Sequence, residues 1–142
     1  MTTPDSTTPR APLALVVDDE AHITHVVSLK LRNAGFEVIT ASDGEEALEI
    51  ALAKKPDIII SDLQMPYMSG LELSQNLAAN PTTANIPTIL LTARGHALSQ
   101  SDLANTTIRE VLAKPFSPRE VLSKADRLLG ITRDPAQEDR AA

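Results

Sequence analysis

The chain has 142 residues, 42% of them hydrophobic, and a formal net charge of −6, a length that makes about one domain, able to bury roughly 68–70% of its unfolded surface without a disulfide or structural metal. The negative charge opposes direct binding to nucleic acid, and only Phe36, Tyr67 and Phe116 are available for base stacking. Cysteine is absent, which excludes thiol nucleophiles and Cys-based zinc sites, and no apolar run approaches the ~20 residues that span a bilayer.

Residues 1–12 are rich in Thr and Pro with little to bury, and they lack the basic end and apolar stretch of a signal peptide. They read as a flexible tail on a soluble cytoplasmic protein with no membrane segment. An apolar run at 13–17 ends in Asp18-Asp19 and reads as the first strand. A helix from about 20 to 34 follows, with apolar Ile23, Val26, Val27 and Leu31, and it stops at Gly35, a natural left-handed terminator. His22 and His25 lie on one face of it; with no third ligand in view they read as a polar exposed face. The second strand is expected near 37–40. Ser42-Asp43-Gly44-Glu45 reads as a capping box opening the second helix, in which serine and glutamate satisfy otherwise orphaned N–H groups.

The third strand is expected at 58–61, ending at Asp62. Ser69-Gly70-Leu71-Glu72 is a second capping box, and the fourth strand, 88–91, ends at Thr92. Between 97 and 105 a fourth helix is weakly written and poorly capped, with Asn105 as its left-handed end. His96, in the loop after Thr92, is placed where it could line the site, and by itself reads as a surface histidine. The fifth strand, 110–113, ends at Lys114. Ser117-Pro118-Arg119-Glu120 then caps a helix with proline at its first position, burying Val121, Leu122, Ala125, Leu128 and Leu129 and ending at Gly130. Residues 131–142 read as a second flexible tail. Five alternations of strand and helix favour right-handed crossovers and an α/β, doubly wound parallel sheet, and the continuous apolar strands fit a sheet covered on both faces.

In such a sheet the carboxyl ends of the strands face the ligand crevice, so Asp18, Asp19, Asp62, Thr92 and Lys114 meet there although they are far apart in the chain. Two carboxylates ~5 Å apart at an effective dielectric of 20 repel by about 3 kcal/mol. A hard divalent cation offsets this, and Mg²⁺ (with Mn²⁺ as an alternative) suits a few carboxylates plus waters and phosphate oxygens. Taken singly, each residue has a plainer explanation: Asp18-Asp19-Glu20 as a negatively charged helix start, Asp62 as a turn residue, Lys114 as a solvated charge. Their joint occurrence at four strand ends is the specific signal.

That order, with Val16-Val17-Asp18-Asp19-Glu20, Ser61-Asp62-Leu63-Gln64-Met65-Pro66, Ser69-Gly70, Leu91-Thr92-Ala93 and Lys114-Pro115-Phe116, resembles the receiver domains of two-component response regulators over about residues 13–130. The resemblance implies strand order 2-1-3-4-5, the flavodoxin-like order also found in the family's chemotaxis regulators. It implies that Asp62 accepts a phosphoryl group from a histidine on a sensor kinase or a phosphotransfer protein, with Lys114 and Thr92 contacting the phosphoryl oxygens. It further implies that Asp19, Asp62 and the Gln64 backbone carbonyl ligate the metal, that Asp18 acts through water, that the Lys114-Pro115 peptide is cis, and that Gln64 and Arg94 tune the lifetime of the acyl phosphate.

Departures from the family pattern concern the output. Val111 stands where receivers usually carry an aromatic residue, so the aromatic switch coupled to Thr92 cannot work in its usual form. Thr106-Thr107-Ile108 replaces the usual Gly-Ala before the fifth strand. With 12 residues after Gly130 the expectation is a stand-alone phospho-acceptor regulator, not an enzyme, that signals to a downstream protein target. The alternatives are a receiver fragment of a larger regulator and a phosphate sink. An aspartyl-phosphate phosphatase is disfavoured because Gln64 occupies the place of its second acid, and a flavodoxin because no phosphate loop follows the first strand.

Overall fold

The computed structural model describes residues 11–93 and 98–133. Strands β1 (Leu13–Val17), β2 (Glu37–Ala41), β3 (Ile58–Asp62), β4 (Thr88–Thr92) and β5 (Ile108–Ala113) alternate with helices α1 (Ala21–Asn33), α2 (Gly44–Lys54), α3 (Gly70–Ala79), α4 (Gln100–Leu103) and α5 (Pro118–Leu129). All strand pairs are parallel, in the order β2-β1-β3-β4-β5, as the resemblance implied. No helix among the described residues is long and apolar enough to cross a membrane.

Because successive strand side chains point to opposite faces, one apolar run feeds two cores. Ala14, Val16, Ile58 and Ile60 pack with Val27 and Leu31 of α1 and Val121, Leu122 and Ala125 of α5. Leu15, Val17 and Ile59 pack with Ala47 and Ala51 of α2 and Leu73 and Leu77 of α3. Each Leu or Ile buried in this way contributes about 1.5–3 kcal/mol. Leu128 and Leu129, expected in the core, are only partly buried at its edge.

Most of the predicted punctuation is present. Gly35 (φ 101°), Asn105 (φ 59°) and Gly130 (φ 70°) are left-handed, and the Ser69–Glu72 and Ser117–Glu120 capping boxes form. The start of α2 differs by one residue. Asp43, not Ser42, caps the Glu46 N–H, while the Glu46 carboxylate accepts from the Ser42 N–H and hydroxyl. The fourth helix is a single turn, and it is well capped: Ser99 and Asp102 form a reciprocal capping box. Strand β5 begins two residues early because the Thr107 hydroxyl pairs with that of Thr88 at 2.8 Å, satisfying two buried polar groups at once.

The residues after α5 are not all loose. Ile131 packs on the core, and Arg133 binds both carboxylate oxygens of Asp126 (2.6 and 3.0 Å) and the Ala34 carbonyl (2.9 Å).

Candidate functional site

The carboxyl ends of β1, β3, β4 and β5 converge, and ladder hydrogen bonds hold the residues that follow them. The Asp18 N–H donates to Ala41, Leu63 to Leu91, and Lys114 to Thr92. Asp18, Asp19 and Asp62 thereby bring carboxylate oxygens within 4.8 Å of one another. Asp18 (2% exposed) and Asp62 (7%) are buried, whereas Asp19 faces solvent. Lys114 Nζ lies 3.0 Å from Asp62 Oδ1 and 3.8 Å from Glu20.

Burial drives the electrostatics. It raises the Asp18 carboxyl to about 6, with the Asp62 and Asp19 charges adding, against the hydrogen bond from the Glu20 N–H and the charge of Lys114. Burial also raises Asp62, and its hydrogen bond and ion pair with Lys114 only partly offset this. Burial alone would lower the Lys114 ammonium, but hydrogen bonding and attraction to Asp62, with Asp18 and Glu20 behind it, raise it. One ammonium therefore faces a surplus of carboxylates.

Two polar atoms here have no partner among the described residues: Asp18 Oδ2 and Thr92 Oγ1, the latter on a side chain 1% exposed. Buried polar groups are nearly always paired, so both mark places where a ligand atom would be accommodated. The donor set, carboxylate oxygens clustered around an orphaned one, fits a hard divalent cation and fits a soft metal poorly. A cleft of about 450 Å³ also opens beside Asp18 and Asp19, lined by Thr24, His25, Ser28 and Ser42, and it excludes Asp62 and Lys114.

The sequence-predicted residues fall as follows. Asp18, Asp19, Asp62, Thr92 and Lys114 share the edge; Gln64 is exposed on the loop leaving β3; Val111 is 39% exposed on β5; the Lys114–Pro115 peptide is cis. His22 and His25 are exposed. Arg94 and His96 lie outside the described residues. Sequence reasoning missed two contributors. Glu20 was read only as part of an acidic run, although it stands next to Lys114. Gly70 was read as part of a cap and of the family motif, with no account of why glycine is needed: a Cβ there would overlap the Asp62 carbonyl oxygen and crowd Leu90 and Ser61, so the glycine lets α3 start directly against β3.

The family model for the response regulator receiver domain matches residues 14–126. The phosphate regulon transcriptional regulatory protein PhoB of Pseudomonas aeruginosa is 35% identical over 115 residues, which cover 81% of this chain and 50% of that protein. The chain thus spans about half the length of the curated relatives it matches. The chemotaxis response regulator CheY4 of Vibrio cholerae superposes with a TM-score of 0.76 at 34% identity, over 83% of this chain and 98% of that one. The receiver domain of a sensor histidine kinase from Pseudomonas aeruginosa, solved with a magnesium ion coordinated in its active-site cleft, superposes with a TM-score of 0.76 at 26% identity, over 84% of this chain and 98% of that one. With an acidic cluster, a lysine and an orphaned threonine at the edge of a 2-1-3-4-5 sheet, the chain belongs to the response regulator receiver domains of two-component signalling.

Proposed function

We propose that Asp62 accepts a phosphoryl group from a histidine on a sensor kinase or a histidine phosphotransfer protein, and that the modified domain changes its binding to a downstream protein target. The observation that carries this reading is the setting of Asp62, a buried carboxylate with Lys114 at 3.0 Å and two further carboxylates within 4.8 Å. An Asp62 oxygen attacks phosphorus, the bond from phosphorus to the donor imidazole nitrogen breaks, and an acyl phosphate remains with imidazole as the leaving group. Lys114 balances charge on the transferring oxygens, and the Thr92 hydroxyl supplies a hydrogen bond to one of them, acquiring the partner it lacks.

Asp19, Asp62 and the Gln64 carbonyl would hold Mg²⁺ or Mn²⁺, with Asp18 acting through water. The bound cation would supply charge neutralisation at the carboxylate cluster and the phosphoryl oxygens. Gln64 and Arg94 are proposed to flank the acyl phosphate and set its lifetime. Thr92 is proposed to move toward the phosphoryl group, with Val111 too small to report that movement as an aromatic ring would.

Incubation with acetyl phosphate and Mg²⁺ should add one phosphoryl group by intact mass, and Asp62→Asn should add none. Labelling of that variant at the wild-type level would end this reading. A second reading has one observation in its favour, the half-length match to transcriptional regulators such as PhoB: the domain is the input module of a longer regulator. Translation of the reading frame on both sides of the 142 residues decides between them.

A further inference from the structure

Among the described residues, the large hydrophobic side chain left most open to solvent is Tyr67, 82% exposed in the loop between β3 and α3. Its backbone is the unusual part. Tyr67 has φ 70°, and the Met68 N–H donates to the Pro66 carbonyl at 2.8 Å, so Tyr67 is the central residue of a three-residue turn whose φ has the sign of the strained γ-turn. Positive φ is uncommon for a bulky side chain, and glycine would adopt it without cost.

The turn is held on both sides. Met65 and Met68 pack against the core formed with α2 and α3; Gly44 approaches Met68 so closely that a Cβ would overlap it; Gly70 abuts the Asp62 backbone. A strained residue persists when its surroundings over-determine it, and such residues cluster at functional sites. Here Met65 and Met68 are partly buried against that core while the Tyr67 side chain is left exposed, five residues beyond the phospho-acceptor carboxylate.

Asp62 is only 7% exposed, so a protein-borne phosphohistidine reaches it only by closing over the carboxyl edge of the sheet, where the loop joining Asp62 to α3 begins. Aromatic side chains that become desolvated at such contacts carry a large share of binding energy, and one presented from a backbone already held in place leaves only its own few torsions to be ordered on docking. We propose that Tyr67 is an aromatic contact for the phosphohistidine-bearing donor protein and that it selects protein donors without taking part in the transfer itself. This rests on the reading of Asp62 as acceptor.

The test compares two donors. Phosphoramidate needs no docking surface. The protein donor is the autophosphorylated cytoplasmic part of whichever sensor kinase from the same genome labels the wild-type chain fastest. Tyr67→Ala should keep its phosphoramidate rate within about twofold, while kcat/KM from the kinase falls about tenfold or more, chiefly through KM; Tyr67→Phe should restore it. Tyr67→Gly should melt above wild type through relief of the turn, yet transfer as poorly as Tyr67→Ala, which separates the ring from the backbone. Kinase transfer to Tyr67→Ala within about twofold of wild type, or equal losses with both donors, overturns the proposal. Failure of the acceptor reading looks different: label would persist on Asp62→Asn, or wild type would take none from either donor.

Discussion

At the scale of single residues, Asp18 carries the largest conflict. Its carboxyl is raised from 3.8 to about 6 and Asp62 is raised as well, so without metal the folded state holds these protons more tightly than the unfolded chain does. Stability from Asp18 is therefore fully present below about pH 4 and is lost as pH rises through about 6, a loss of at most about 3 kcal/mol, and Asp62 acts in the same direction. Asp18→Asn keeps an oxygen for the Glu20 N–H and removes the buried charge. In EDTA its melting temperature should exceed that of wild type by about 5 °C near pH 7, and the difference should shrink toward zero near pH 4. A difference that does not vary with pH would refute the assignment of strain to this carboxylate. The positions of the site residues were readable because each sits where an apolar run stops. Their relative burial was not, because Asp18 and Asp19 are chemically identical neighbours and only the direction of the chain leaving β1 makes one buried and the other open.

Among the elements, the loop from β3 to α3 and the short α4 matter most. Gly70→Ala would push a methyl group into the Asp62 carbonyl, Leu90 and Ser61, costing about 1–3 kcal/mol and displacing the Asp62 backbone. It should lower the melting temperature and slow acetyl phosphate labelling together; a stable variant with an unchanged rate would show that the contact is slack. Helix α4 has four residues, none of them buried, so its packing resists rearrangement least. We expect beryllofluoride with Mg²⁺ to change hydrogen exchange across residues 98–107. Changes confined to the carboxylate cluster would make the domain a phosphate sink. The strands were legible as uninterrupted apolar runs. The start of α2 was misplaced because Ser42 and Asp43 can both cap, and Glu45 and Glu46 can both answer. The cap of α4 was overlooked because its Ser99-to-Asp102 spacing precedes hardly any apolar periodicity. Lys55 (φ 47°) and Tyr67 adopt left-handed backbone with none of the glycine or asparagine that signals it. Strand β5 was trimmed because Thr106 and Thr107 look like loop until their hydroxyls find partners.

Across the whole molecule, the cores on either side of the sheet share its strands, and the Arg133 latch adds a tie between chain segments 99 residues apart. A lone arginine in a charged tail has no periodic signature, so sequence alone did not reveal it. Arg133→Ala leaves the largely buried Asp126 carboxylate without its bidentate partner and should cost about 1–3 kcal/mol, read as a fall of several degrees in melting temperature. An unchanged melt would mean that the latch is ornamental. The grip on the Ala34 carbonyl, with the guanidinium 6.0 Å from the Phe36 ring, also decides where mechanical load enters the domain. Tension on any polypeptide continuing past Arg133 would pass sideways into the corner that leads to β2, and from there through the register of β2 with β1 into the strand that ends at Asp18. The same guanidinium holds both oxygens of Asp126 on α5, so a tether pulling at this point would load the corner before β2 and the last helix together rather than peel the helix alone.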